Sequence, residues 1–156
     1  MPPTVANVMT PDPIVVQPET VLQDAIQILA DRQISGLPVV DQAGKLVGVL
    51  SEGDLIWREA GVTPPPYIAI LDSVIYLKNP AKYERELHKA VGQTVGEVMT
   101  QTDLATITPD ASIRQAAQMI RERKVNRLLV VDAEQSLIGI LTRGDIVQFM
   151  ASHPDE

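Results

Sequence analysis

The feature that most constrains this chain is an internal duplication. Residues 18–55 align with residues 109–146 at a constant offset of 91, without a gap. Pro18, Ala25, Arg32, Leu37, Val39, Val40, Asp41, Leu46, Gly48, Leu50, Gly53 and Asp54 recur as Pro109, Ala116, Arg123, Leu128, Val130, Val131, Asp132, Leu137, Gly139, Leu141, Gly144 and Asp145. Just upstream, Val5-x-x-Val8-Met9-Thr10 recurs as Val95-x-x-Val98-Met99-Thr100 at an offset of 90. One residue has therefore been gained or lost between Thr10 and Pro18. Whatever one copy folds into, the other must fold into as well.

Each copy reads as a βαββα unit. The apolar stretches Ile14–Val16 and Ala105–Ile107 suggest a first strand. Leu22, Ala25, Ile26 and Leu29 fall at i, i+3, i+4 and i+7, as do Ile113, Ala116, Ala117 and Ile120, which predicts an amphipathic helix. Leu37–Val40 and Leu128–Val131 follow as short buried strands. Turns are expected at 41–44 and 132–135, then third strands at Leu46–Leu50 and Leu137–Leu141. Ser51 and Thr142 stand where a second helix needs a cap. Such a unit leaves one sheet face and one helix flank uncovered, so two copies should pack with pseudo-twofold symmetry and enclose two equivalent clefts.

The fold class expected is thus α/β (α+β), with a first repeat over 1–60, a helical insert over 61–94, a second repeat over 95–152 and a tail over 153–156. Within the insert, Ile68, Leu71 and Ile75 at i, i+3 and i+7 suggest a helix ending near Pro80. A second helix is expected to open at Asn79-Pro80, carry Tyr83, Leu87, Ala90 and Val91 as its stripe, and stop at Gly92.

Composition removes several functions. The net charge of −7 opposes long nucleic acid, whose binders carry a basic footprint, and one Phe, one Trp and three Tyr are too few for a base-stacking platform. Cysteine is absent, which excludes disulfides, thiolate metal ligands and a cysteine nucleophile. No run of 18 apolar residues suggests a membrane span, and no secretory signal is visible, so a cytoplasmic protein is expected. His88 and His153 have no partner at metal-ligand spacing and are read as surface residues, so no metal site is expected. There is no Walker-type loop and no Gly-x-Ser-x-Gly elbow.

The order Val8-Met9-Thr10, Ser35-Gly36-Leu37-Pro38-Val39-Val40-Asp41 and Leu46-Val47-Gly48-Val49-Leu50-Ser51-Glu52-Gly53-Asp54 is repeated in the second copy. There it reads Val98-Met99-Thr100, Asn126-Arg127-Leu128-Leu129-Val130-Val131-Asp132 and Leu137-Ile138-Gly139-Ile140-Leu141-Thr142-Arg143-Gly144-Asp145. This resembles the tandem cystathionine β-synthase (CBS) domain pair, or Bateman module, as a stand-alone pair. The resemblance implies a regulatory module, not an enzyme, that senses an adenosine-containing ligand (AMP, ADP, ATP or S-adenosylmethionine). Mg²⁺ would enter only with a polyphosphate. It also implies a homodimer that modulates a partner protein.

By the same resemblance, one site would combine Thr142 and Asp145 with Thr10, Ile14, Ile34 and Gly36, and Arg143 beside Thr142 adds a cation suited to phosphate. Its twin would combine Ser51 and Asp54 with Thr100, Ala105, Val125 and Arg127. The chemistry is suitable: a carboxylate accepts two bonds from a ribose cis-diol, and a helix N-terminus favours phosphate. Arg143 against Glu52, and Gly36 against Arg127, rank the Asp145 site first. The hydroxyl-x-x-acid spacing is equally that of a capping box, so both roles stay open at each aspartate. A dimerisation scaffold with empty clefts is the alternative function, and an enzyme acting on a nucleotide a weaker one.

Overall fold

The computed structural model describes residues 3–60, 67–70, 73–76 and 93–154. Two compact units divide it: residues 1–15, 38–48 and 101–156 in the first, and residues 16–37 and 49–100 in the second.

In the first unit, β6 (Thr106–Ile107) leads through α5 (Ile113–Arg123) to β7 (Arg127–Val131), which lies parallel to it. β8 (Leu137–Thr142) returns antiparallel to β7 and runs directly into α6 (Arg143–Ser152). This is the expected βαββα order. The sheet is extended by β1 (Thr10–Pro11), which pairs antiparallel with β8, giving the order β1-β8-β7-β6. The chain enters β1 from α1 (Val5–Val8), a single turn whose start is held by the Thr4 amide donating to Asn7 Oδ1 at 2.9 Å. Val5, Ile107, Ala116, Ile120, Leu128, Val130, Leu141 and Ile146 form its core, so one face of each amphipathic element is covered.

In the second unit, α2 (Leu22–Arg32) buries Leu22, Ala25 and Leu29, the stripe expected from its spacing. α3 (Glu52–Ala60) follows β3, and the short α4 (Val95–Val98) buries Val95 and Val98. β2 (Gly36–Val40) and β3 (Leu46–Ser51) form a two-stranded sheet. Its open end belongs to this unit and its turn end to the first.

Local chemistry repeats with the sequence. Asp41 Oδ1 accepts from the amides of Ala43 and Lys45 at 2.9 and 3.0 Å, and Asp132 Oδ1 accepts from Glu134 and Ser136 at the same two distances. The recurring aspartate is thus a turn former. Positive φ occurs at Asp12, Gln33 and Gly44 and again, 91 residues on, at Asp103, Lys124 and Gln135. Since Asp12 and Asp103 already obey the offset of 91 while Thr10 and Thr100 differ by 90, the extra residue lies between Thr100 and Asp103.

Two sequence expectations need correction. The helix read from Ile68, Leu71 and Ile75 is instead a hairpin: β4 (Tyr67–Ile70) pairs antiparallel with β5 (Ser73–Tyr76), Tyr67 opposite Tyr76 and Ile70 opposite Ser73. Three residues at helical spacing were outweighed by two runs rich in Tyr, Ile and Val separated by only two residues. The insert between the repeats is therefore not purely helical. The first strand of the first repeat also shrinks. Val16 is buried and makes one bridge, while Ile14 and Val15 carry no strand and are exposed. Pro13 removes an amide donor there, and ladder pairing falls to Thr10–Pro11 instead. The expected helix at 79–92, His88 and the Trp57 side chain lie outside the described residues.

Candidate ligand-binding site

Each hydroxyl-x-x-acid motif sits where a third strand turns into a helix. In the first unit, Thr142 caps α6: its hydroxyl accepts from the Asp145 amide at 3.1 Å, and its own amide donates to Asp145 Oδ2 at 2.9 Å. The capping reading therefore holds here. It leaves Asp145 half-buried with Oδ1 engaged by nothing among the described residues. Thr10 is brought to the same sheet edge by its pairing with Ile140, two residues before Thr142. Gly139 is what permits this approach. A Cβ there would stand 2.5 Å from Met9 Sδ and 3.0 Å from the Thr10 carbonyl oxygen.

The second unit repeats the backbone but not the side-chain bonding. The amides of Val49 and Thr100 each donate to the other's carbonyl at 2.9 Å, as an isolated bridge. Asp54 Oδ2 accepts from the Ser51 amide at 3.0 Å and the Ser51 hydroxyl at 3.2 Å, and Oδ1 accepts from the Thr100 hydroxyl at 2.9 Å. Asp54 is only 6% exposed, the one buried charged residue among those described. No such bond joins Thr10 to Asp145 among the described residues. One aspartate is consumed by the fold, and its twin keeps acceptor capacity.

The remaining predicted residues distribute as follows. Ile14 and Arg143 are in the first unit with Thr10, Thr142 and Asp145, whereas Ile34 and Gly36 are in the second unit with Ser51, Asp54 and Thr100. Ala105, Val125 and Arg127 belong to the first unit. There Arg127 is the cross-strand partner of Thr142, and the Arg143 amide donates to the Asn126 carbonyl at 3.1 Å. In the second unit the Glu52 amide donates likewise to Ser35 at 3.0 Å. Each repeat thus brings the start of its own second strand beside its own hydroxyl-x-x-acid motif. Two residues that sequence reasoning assigned to the twin site, Val125 and Arg127, are neighbours of Thr142 and Arg143.

Asp145 lines a hollow of about 220 Å³ with Asn7, Val8, Gln148, Phe149, Ser152 and His153. His153 is exposed, as expected, and stacks on Phe149 at 4.4 Å between ring centroids. No group of acids and histidines able to hold a metal occurs among the described residues. No helix among them is long and apolar enough to cross a membrane.

With this geometry in hand, comparison with known proteins is decisive on family. The CBS domain family profile matches residues 5–61 and 95–152, and the chain belongs to the CBS domain family as a tandem pair. It is similar to the chloroplastic CBS domain-containing protein CBSX2 of Arabidopsis thaliana, 36% identical over 93% of this chain. The chloroplastic CBSX1 of the same plant is 34% identical, again over 93%. The chain spans only 62% and 63% of the length of these two relatives. Protein MJ1426 of Methanocaldococcus jannaschii is 34% identical, with 87% of this chain and 84% of that protein covered. Among solved structures, a crystal structure of CBSX2 in complex with AMP superposes with a TM-score of 0.80 at 36% identity, covering 96% of this chain and 97% of that one.

Proposed function

We propose that this chain is a non-enzymatic regulatory module that binds an adenosine nucleotide at its second repeat and passes the occupancy of that site to a partner protein. The observation that carries the reading is the unequal bonding of the two aspartates. Asp145 Oδ1 is available to a ribose cis-diol, while both Asp54 oxygens are already accepting. Thr142, Arg127 and the N-terminus of α6 stand beside it, where a phosphate is favoured. The AMP held by the related CBSX2 supports AMP as the first ligand to try. Thr10 and Ile14 complete this unit's contribution.

The site at Asp54, with Ser51 and Thr100, is the weaker of the two, since ligand would have to displace the Thr100 hydroxyl. Val147 and Met150, 62% and 59% exposed and one turn apart on α6, support self-association as a homodimer, as does Ile56 on α3 at 62%. Ligand acts by favouring one of two arrangements to which it binds unequally.

Thermal unfolding with AMP, ADP, ATP and S-adenosylmethionine tests the reading. A ligand at 100 times its Kd stabilises the folded state by about 2.7 kcal/mol. AMP should raise the Tm of the natural chain and not that of Asp145→Ala. If none of the four shifts the Tm at millimolar concentration, the scaffold reading replaces this one.

A further inference from the structure

The duplicated helices α2 and α5 share an apolar stripe but differ in the charge of their outer faces. α5 and its cap carry Arg114, Arg121, Arg123 and Lys124 against one acid, Glu122, in a chain of net charge −7. The matching stretch of α2 carries Asp24 and Asp31 against one cation, Arg32. On α5 the exposed Arg114, Gln118 and Arg121 share one face, spaced by four and then three residues. On α2 the exposed Asp24, Gln27 and Asp31 share one face, spaced by three and then four. Arg114, Arg121 and Asp24 make no hydrogen bond or ion pair among the described residues. Asp31 Oδ1 accepts from Gln27 Nε2 at 2.8 Å, which leaves Oδ2 available.

Charges on a solvated helix often serve the helix dipole, and Arg121 in the last turn of α5 and Asp24 in the first turn of α2 do so. Arg114 and Asp31 do not. Arg114 is a cation in the first turn of α5 and Asp31 an anion in the last turn of α2, each at the end that disfavours it. Nor does the fold require these charges. The other repeat has Gln23 in place of Arg114, Ala30 in place of Arg121 and Gln115 in place of Asp24.

Set antiparallel, the two faces are complementary in register. Arg114 meets Asp31, Gln118 meets Gln27 and Arg121 meets Asp24, over about 10.5 Å of helix axis. Glu122 falls opposite the uncharged Gln23. Two copies of α5 would instead oppose Arg114 to Arg121, and two copies of α2 would oppose Asp24 to Asp31. We infer that α5 of one molecule docks antiparallel on α2 of a second copy, with Arg114–Asp31 and Arg121–Asp24 as its ion pairs. The inference rests on the homodimer reading above and adds which helices meet and in what register. α5 packs beside α6, whose exposed Val147 and Met150 supply apolar burial while the charges select the pairing.

The test measures self-association by sedimentation, with thermal unfolding to check the fold of each variant. Arg114→Asp/Arg121→Asp and, separately, Asp24→Arg/Asp31→Arg place like charges in the contact, and each should weaken the dimer about tenfold or more. The chain with all four substitutions should recover the natural affinity within about threefold, because both pairs return with their signs exchanged. If a reversal fails to fold, Arg114→Gln/Arg121→Ala carries the test, since it installs the first repeat's own residues. Its dimer should be weaker and should lose the salt dependence of the natural one. A dimer undisturbed by either reversal, an unchanged salt dependence, or a fourfold variant that folds yet stays as weak as its two halves would overturn the contact. Each of those results leaves the homodimer reading standing. A natural chain that remains monomeric at about 100 μM overturns both.

Discussion

Replacing each of the two aspartates by alanine should separate stability from binding in opposite directions. Asp54 is 6% exposed and accepts hydrogen bonds at 2.9, 3.0 and 3.2 Å. Hydrogen bonds to a charged group are worth about 1.5–3 kcal/mol each in net terms, but alanine also relieves the burial of a carboxylate. The balance for Asp54→Ala is a loss of about 2–4 kcal/mol. Asp145 contributes one such bond, from the Thr142 amide, and the reciprocal bond from its own amide to the Thr142 hydroxyl survives in alanine. Asp145→Ala should therefore cost about 0.5–1.5 kcal/mol, the value of half a capping box. With a urea m-value of about 2 kcal/mol/M, the midpoint falls by about 1–2 M in the first variant and by less than about 0.8 M in the second. For AMP the order reverses. Asp145→Ala removes two charge-assisted bonds to the ribose, about 2–3 kcal/mol or roughly 30- to 150-fold in Kd, whereas Asp54→Ala changes it by less than about threefold. Urea unfolding and calorimetry on the same samples read both quantities. Coincident midpoints, or equal losses of AMP affinity, would refute the claim that the two carboxylates have been divided between fold and ligand.

Two further outcomes follow from the same contacts. Gly139→Ala forces a Cβ against Met9 Sδ and the Thr10 carbonyl, so denaturant unfolding should show a loss of about 1–3 kcal/mol, with β1 displaced from β8. Arg123→Ala breaks the 2.9 Å ion pair to Asp103, whose side chain is 92% exposed. Its cost should stay below about 1 kcal/mol and vanish in high salt.

Much of this fold could be read from the sequence, and the reasons are local. The stripe on α2 and α5, the strands 36–40 and 127–131, and the aspartate turns all depend on neighbours a few residues away. The elements that escaped are of two kinds. α1 and α4 are single turns, too short to show a period. β1 has two residues and exists because Thr10 and Pro11 meet Ile140 and Gly139, which no window along the chain contains. The candidate site divides similarly. Its motifs were visible because capping and ribose binding ask for the same residue types. The decisive difference was not visible, since Thr10 and Thr100 are the same amino acid and only one of them bonds its aspartate.

The pairing of Thr10 with Ile140 joins positions 130 residues apart, and Val5 is buried in one core with Leu128 and Leu141. During synthesis, Val5, Thr10 and Pro11 must wait without these partners until the second repeat has emerged. Closing so long a loop is slow, and folding rates fall as contacts become more distant in sequence. The sheet edge beside position 145 is thus completed by a strand that lies far earlier in the sequence. Deleting residues 5–11 would bare the edge of β8 and reach the candidate site without altering any residue of the second repeat.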